Sequence, residues 1–283
     1  MPRSVPHEAG PARPIDYGDR VKIALIDSGI GLLPAAAAVR RLRPTADLVL
    51  SSDPDGMPWG PRTAEDLSAR ALAAAEAAAA HAPDALIVAC NTASVHALTA
   101  VRARLEPQVP VIGTVPAIKP AAAGGGPVAI WATPATTGSD YQRDLIGRFA
   151  TGVDVTEVAC PGLADAVQHA DEDAIDRAVA DAAARTPRDV RAVVLGCTHY
   201  ELVGERIRQA VAARGTGRGP LVLHASAGAV AAQLLRRTGI TAEPEPGAPG
   251  SLTVLLSGRE AALPEAALTY AEGRLLAAVS PVR

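Results

Sequence analysis

Two strings carry the chemistry this chain can offer: LIVACNTAS around Cys90 and AVVLGCTHY around Cys197. Each is an apolar, β-branched run that stops at a cysteine and continues into small polar residues. That is the pattern of a buried strand whose carboxyl end opens into a site. The chain has three cysteines, and two of them stand at matching strand ends. Such a pair suggests two thiols facing one pocket. One can remove a proton from a substrate carbon while the other delivers a proton to the opposite face.

The neighbours of each cysteine sharpen this reading. Asn91, Thr92 and Ser94 follow Cys90 where the chain should turn into a helix. Backbone N–H groups at a helix start lower a thiol's pKa and bind carboxylates. Thr198 and His199 follow Cys197, and an imidazole two residues after a strand-end thiol suits a general acid or base. Asp27-Ser28-Gly29-Ile30-Gly31 ends the first apolar run. There Asp27 can act as a charge or orienter, Ser28 can donate to a carboxylate, and the glycines permit close approach. The same composition also makes an ordinary strand-to-helix turn. Cys160 precedes Pro161 and Gly162 with no polar run behind it and reads as structural. His7, His81, His96, His169 and His224 have no visible partner. With no C-x-x-C pair, and with Cys197 and His199 too close together, the spacing does not describe a zinc site.

The elements that must position these residues follow from an aliphatic composition. Of 283 residues 48% are hydrophobic, with two Trp, four Tyr and one Phe, so the core must be built from Val, Leu, Ile and Ala. Net charge is −3 and the pI is near 6.1. With no basic stripe carrying interleaved aromatics, no nucleic-acid partner is expected. Residues 1–20 are rich in Pro and charge, lack the apolar segment of an export signal, and read as an N-terminal tail. No run reads as a membrane span. Free thiols and no disulfide framework predict a cytoplasmic setting. The sequence leaves a homodimer open.

Strand and helix patterns alternate. Strands are expected at 22–26, 46–52, 84–89 and 109–113, with helices at 34–42, 64–80 and 93–104. Thr63 and Asp66 resemble a capping box. The grammar then restarts, with strands at 128–132, 153–158, 192–196, 221–224 and 252–257. The helices expected in this half lie at 139–149, across 162–184 as a pair, and at 201–213, 226–237 and 264–278. The fold class predicted is α/β, with two similar α/β domains, mainly parallel sheets and pseudo-symmetry. KIALIDSGIG is set against VAIWATPATT, and LIVACNTAS against AVVLGCTHY. Open parallel sheets bind ligands beyond the carboxyl ends of their strands, so the active site is placed in the interdomain cleft. Gly124 to Pro127 and Gly215 to Pro220 are expected as the two crossings. They give a discontinuous first domain of residues 21–116 plus 221–278 and a second of residues 117–220.

This constellation resembles the glutamate racemases of the cofactor-independent Asp/Glu racemase superfamily. The likeness is carried by IDSGIG (26–31), PWG (58–60), ACNTAS (89–94), GTVPAIKPAA (113–122), ATPATTGSDYQ (132–142) and GCTHY (196–200), in order, across most of the chain. The resemblance implies two α/β domains with the active site between them. It also implies interconversion of L- and D-glutamate without pyridoxal phosphate or metal, a small amino-acid substrate, and D-glutamate supplied for peptidoglycan. By resemblance, Cys90 and Cys197 are the paired bases, Asp27 assists Cys90, and His199 assists Cys197. Ser28, Asn91, Thr92, Thr136 and Thr198 would hold the substrate's amino and carboxylate groups, and Trp59 and Gly60 fall where the family has Tyr-Gly. The chain departs from the family pattern at Leu32, a glycine in the family, at Gly56, and at Trp59. The family glutamate that supports the second cysteine aligns with Gln168. These changes cluster at the expected site and bear on substrate more than on reaction class. They keep two alternatives open: another acidic or modified amino acid in a specialised pathway, or a non-catalytic amino-acid-binding relative.

Overall fold

The computed structural model describes residues 20–215, 220–242 and 248–278; the expected tail therefore lies, apart from Arg20, outside the described residues. Two sheets organise the chain. The first takes β1 (Lys22–Asp27), β2 (Asp47–Ser52), β3 (Ala85–Val88), β4 (Val111–Gly113), β9 (Leu252–Leu256) and β10 (Arg259–Ala261), in the order β10-β9-β2-β1-β3-β4. The second takes β5 (Val128–Ala132), β6 (Val155–Ala159), β7 (Ala192–Leu195) and β8 (Val222–His224), in the order β6-β5-β7-β8. All ladders are parallel except the β9–β10 hairpin. Its turn residues Ser257 and Gly258 have φ of 47° and 77°, the conformation that a two-residue hairpin turn with the right twist demands.

The helices that cover these sheets are α1 (Leu33–Leu42), α2 (Ala64–Ala79), α3 (Asn91–His96), α4 (Leu98–Leu105), α5 (Ile118–Ala123), α6 (Asp140–Phe149), α7 (Leu163–His169), α8 (Glu172–Arg185), α9 (Thr198–Glu201), α10 (Gly204–Ala212), α11 (Ala227–Thr238), α12 (Glu265–Leu268) and α13 (Ala271–Ala277). Local chemistry starts several of them. Pro34 sits in the first turn of α1, where its missing N–H costs nothing. Thr63 caps α2 by accepting the Asp66 N–H at 3.2 Å. None of the described helices is long and apolar enough to cross a membrane.

Burial on both faces explains the near-continuous apolar strands. Along β1, Ile23 and Leu25 join the core that holds Leu33 and Val39 of α1. Ala24 and Ile26 point the other way, into the core built with Leu67, Ala71, Ala75 and Ala78 of α2. This is the period-two alternation of a strand covered on each side. The alanine face of α2 lets that helix lie close on the sheet. The core containing Ile23 and Leu25 also contains Ala129 and Trp131 of β5, so one continuous apolar body joins the two units.

Four sequence expectations need correction. The stretch 93–104 is two helices, broken at Ala97, and the cysteine itself caps the first of them. The stretch 201–213 likewise begins earlier, with α9 at Thr198, and 264–278 is split into α12 and α13. The chain resumes the first unit after His224, not at 221, because Val222, Leu223 and His224 complete the second sheet against β7. Residues 216–219 of the Gly/Pro-rich run before it lie outside the described residues, and the elements on either side, α10 and β8, belong to one unit. The return crossing is made at Ala225 and Ser226, where the Glu201 carboxylate accepts the Ser226 N–H at 2.8 Å, its hydroxyl at 2.7 Å and the Ala227 N–H at 3.3 Å, closing the start of α11.

Ladder register also fixes how the halves superpose. Ile26 pairs with Val88 and accepts the Ala89 N–H at 2.8 Å; Trp131 pairs with Leu195 and accepts the Gly196 N–H at 2.7 Å. Ile26 thus corresponds to Trp131, one residue away from the register read in the sequence. Asp27 corresponds to Ala132, and Ser28 to Thr133. The first unit ends its central strand on an acid; the second does not.

Candidate active site

Cys90 and Cys197 occupy the same backbone position in the two units. Each is the residue before a short helix, with φ −138° and ψ 124° at Cys90 and φ −134° and ψ 135° at Cys197. Both line one cavity of about 260 Å³ between the units. That cavity is also lined by Asp27, Ser28, Trp59, Gly60, Asn91, Thr92, Thr136, Gln168, Thr198 and His199. Every site residue named from the sequence therefore reaches one place. Three hydrogen bonds tie the walls together across the units. Asn91 Nδ2 donates to Gly196 O at 2.9 Å, Thr198 Oγ1 donates to Asp27 Oδ2 at 3.2 Å, and the Ile30 N–H donates to Gln168 Oε1 at 2.8 Å.

The glycines of the first turn are required by these contacts. A Cβ on Gly29 would stand 2.1 Å from Gln168 Oε1, and one on Gly31 would stand 2.4 Å from Asp27 Oδ2 and 2.5 Å from His199 Nδ1. What approaches this turn closely is polar machinery, Gln168 and His199 from the other unit and Asp27 from its own. Leu32, where the family has glycine, points into the core and is 3% exposed.

Asp27 is fully buried. Burial pushes its carboxyl up to about 7, against the opposing effect of hydrogen bonds from the Ser28 N–H, the Thr198 hydroxyl, the Ser28 hydroxyl and Cys90. An acid poised near neutrality beside a thiol can take a proton from it and give one back. Burial and then the Asp27 charge hold the Cys90 thiol well above its usual range, while the Ala93 N–H opposes them. Burial raises Cys197 to about 12, opposed by the His199 and Tyr200 N–H groups at the start of α9. Both sulfurs are thus protonated thiols at rest.

His199 pairs with Cys197 and not with an anion. Its Nε2 lies 3.0 Å from Gln168 Oε1 and its Nδ1 lies 4.0 Å from Cys197 Sγ. The Ile30 N–H can only donate, so the atom it meets on Gln168 is the amide oxygen. The same oxygen must accept from Nε2, which places the imidazole hydrogen there. Nδ1 is left with its lone pair toward the Cys197 thiol. Burial lowers the His199 pKa to about 4, so the ring is neutral at physiological pH, with the Nδ1 lone pair facing the thiol.

Asn91 is 4% exposed and its Oδ1 has no partner. A buried, unsatisfied acceptor on the cavity wall is a place for a ligand N–H. Trp59 contributes its ring to the wall, while its Nε1–H is turned away to Asp53 Oδ2 at 3.0 Å. Sequence reasoning missed Met57, Thr133, Asp165 and Cys160, which also line the cavity. The sequence context of Cys160 marks it as structural. Its thiol donates to Val158 O at 3.5 Å, and burial raises it to about 12. No helix start addresses its sulfur. Among the described residues no group of three or more His, Cys, Asp or Glu could hold a metal ion.

A pseudo-symmetric pair of parallel α/β units with a thiol at each facing strand end defines a class: enzymes able to work on both faces of one carbon. Residues 33–234 match the family model described as Asp/Glu/hydantoin racemase. The chain belongs to that family. It is 42% identical to the glutamate racemase of Roseiflexus sp. (strain RS-1) over 194 residues, covering 66% of this chain and 70% of that one. With the glutamate racemase of Sphingopyxis alaskensis it shares 36% identity over 238 residues, 81% of this chain and 86% of the relative. Among solved structures, the Escherichia coli glutamate racemase in complex with L-glutamate and an activator superposes with a TM-score of 0.71 at 28% identity. That superposition covers 83% of this chain and 89% of that one.

Proposed function

We propose that this protein interconverts L- and D-glutamate by proton transfer between two thiols, with D-glutamate for peptidoglycan as its role and the cytoplasm as its setting. The observation that supports it best is the paired geometry. Two cysteines in the same backbone conformation line one cavity, with a carboxyl near neutrality beside one and a neutral imidazole beside the other. Cys90 and Cys197 are the two bases. Asp27 takes the Cys90 proton to make one thiolate; His199 Nδ1 takes the Cys197 proton to make the other. A thiolate removes the α-proton, the carbanion's charge spreads into the α-carboxylate, and the opposite thiol delivers its proton to the other face. The sulfurs have then exchanged protonation states; Asp27 releases its proton to solvent, and a proton from solvent returns to the Cys197 thiolate by way of His199.

The α-carbanion is a far stronger base than a thiolate, so the charge on the carboxylate must be stabilised within a water-poor site. Ser28, Thr92, Thr136 and Thr198 supply hydroxyls to the walls, and the unpartnered Asn91 Oδ1 suits the substrate's ammonium. Gly60 and Trp59 form the wall along the side chain. One observation favours a second reading, in which another acidic or modified amino acid is the substrate. Trp59, Gly56 and Gln168 all depart from the family pattern, and Trp59 and Gln168 line the cavity. Purified protein, dialysed exhaustively against chelator and given no cofactor, should drive either enantiomer of glutamate to equal amounts of both. A panel of L-amino acids run in parallel separates the two readings. Inertness toward glutamate, or activity lost with dialysis, contradicts the first.

A further inference from the structure

Asp53 lies just beyond the end of β2, buried and outside the ring of residues that line the cavity. Its carboxylate collects four donors. Oδ2 accepts from Trp59 Nε1 at 3.0 Å and from an Arg70 guanidinium nitrogen at 3.3 Å; Oδ1 accepts from the Gly56 N–H at 3.1 Å and the Ser257 hydroxyl at 3.2 Å. Its own N–H donates to Ser28 O at 3.2 Å. One side chain therefore joins the end of β2, the turn through Trp59, helix α2 and the β9–β10 turn. A Cβ on Gly56 would stand 2.0 Å from Asp53 Oδ2 and 2.2 Å from Arg70. The Asp53–Arg70 pair occupies the space that a side chain at residue 56 would need.

We infer that Asp53 is a positioning residue for substrate binding. It fixes the Trp59 indole as a rigid wall and holds Ser28 and the Met57–Pro58–Trp59–Gly60 turn at the spacing the substrate requires. The inference rests on the proposed racemase function. A carboxylate offers acceptors in four directions, whereas an asparagine amide offers one oxygen and presents hydrogens where donors already point. Asp53→Asn therefore strands buried donors and loosens the turn, and it touches neither thiol nor their proton partners.

The test compares wild type, Asp53→Asn, Trp59→Phe and the double variant, with kcat and KM in both directions and their pH profiles. KM for both enantiomers should rise about tenfold in Asp53→Asn, the scale of a lost charge-assisted hydrogen bond, with kcat and the pH limbs unmoved. The rise should be smaller in the Trp59→Phe background, where the donor is already gone. In a Trp131→Phe background Trp59 is the sole tryptophan. There Asp53→Asn should move its emission to longer wavelength whether or not any substrate turns over. Ser257→Ala, which deletes one donor, carries the same measurement with a smaller KM rise if Asp53→Asn does not fold. An unchanged KM with unshifted emission, additive effects in the double variant, or displaced pH limbs overturns the inference. Absence of glutamate turnover in wild type speaks instead against the function. The emission shift then decides Asp53 by itself, and the amino acid found active in the panel replaces glutamate in the kinetics.

Discussion

Cys90→Ser and Cys197→Ser each abolish racemisation, by at least about 10³-fold in kcat, within the range that losing a general acid or base produces. The reason is acidity. The two thiols already sit above their usual range, Cys197 at about 12 and Cys90 held high by burial and the Asp27 charge. Asp27 and His199 can still draw a proton from sulfur. A serine hydroxyl in the same burial is a much weaker acid and gives neither partner a workable exchange. Because each cysteine serves one face, either variant alone interrupts the cycle. Cys160→Ser keeps turnover within about threefold of wild type: its thiol is committed to Val158 O, and a hydroxyl there makes the same bond. Circular dichroism establishes folding for all three. Full activity in either Cys90→Ser or Cys197→Ser, or its collapse in a folded Cys160→Ser, means that the wrong thiol has been assigned.

The second large effect is expected at Gln168. In the wild type His199 faces an amide, and burial alone lowers its pKa from 6.5 to about 4. A carboxylate within hydrogen-bond reach favours the imidazolium and raises such a pKa by about 1–3 units. Gln168→Glu should therefore move the acidic limb of the pH–rate profile upward. It should also raise kcat in the direction that needs a proton donor beside Cys197. Stability supplies an independent check on the sign. A histidine whose folded pKa is depressed favours folding above its unfolded value, and that contribution is lost as pH falls from about 6.5 toward 4. Raising the folded pKa in the variant shrinks this loss. Profiles of kcat in both directions from pH 5 to 9, beside urea unfolding across the same range, measure both effects. Superimposable profiles would mean that Gln168 serves only to hold the Ile30 N–H.

Much of this site was legible because a strand end is a local event. The β-branched runs before Cys90 and Cys197 and the polar residues after them mark where a buried strand meets solvent, and the acid after Ile26 marks a third such point. What the sequence hid was tertiary. Cys160 joins the cavity through the turn at Gly162, whose φ is 74°, and nothing near it in sequence says where that turn leads. Gln168 was found through resemblance, but its bond to the Ile30 N–H joins residues far apart in the chain and fixes a tautomer that no motif encodes. The helix break at Ala97 is invisible among alanines, whose propensity favours continuation. Asp53 sits in an Asp-Pro-Asp-Gly run that reads as an ordinary turn, although four donors converge on it. The return crossing is not legible because Gly and Pro punctuate connections of every kind, within a unit as well as between units.

Two bases on opposite faces leave a signature that one base cannot, and exchange in heavy water reads it directly. Racemisation of protiated L-glutamate, and separately of D-glutamate, is followed in D₂O by mass spectrometry of each enantiomer at early conversion. Abstraction by one thiol and delivery by the other, already exchanged with solvent, puts deuterium at the α-carbon of the product while unreacted substrate keeps its protium. That asymmetry should hold from both starting enantiomers, and Cys90→Ser and Cys197→Ser should form no opposite enantiomer of either label over the same period. Substrate-derived protium appearing in the early product would show one group carrying the proton between faces, and would contradict the two-thiol account.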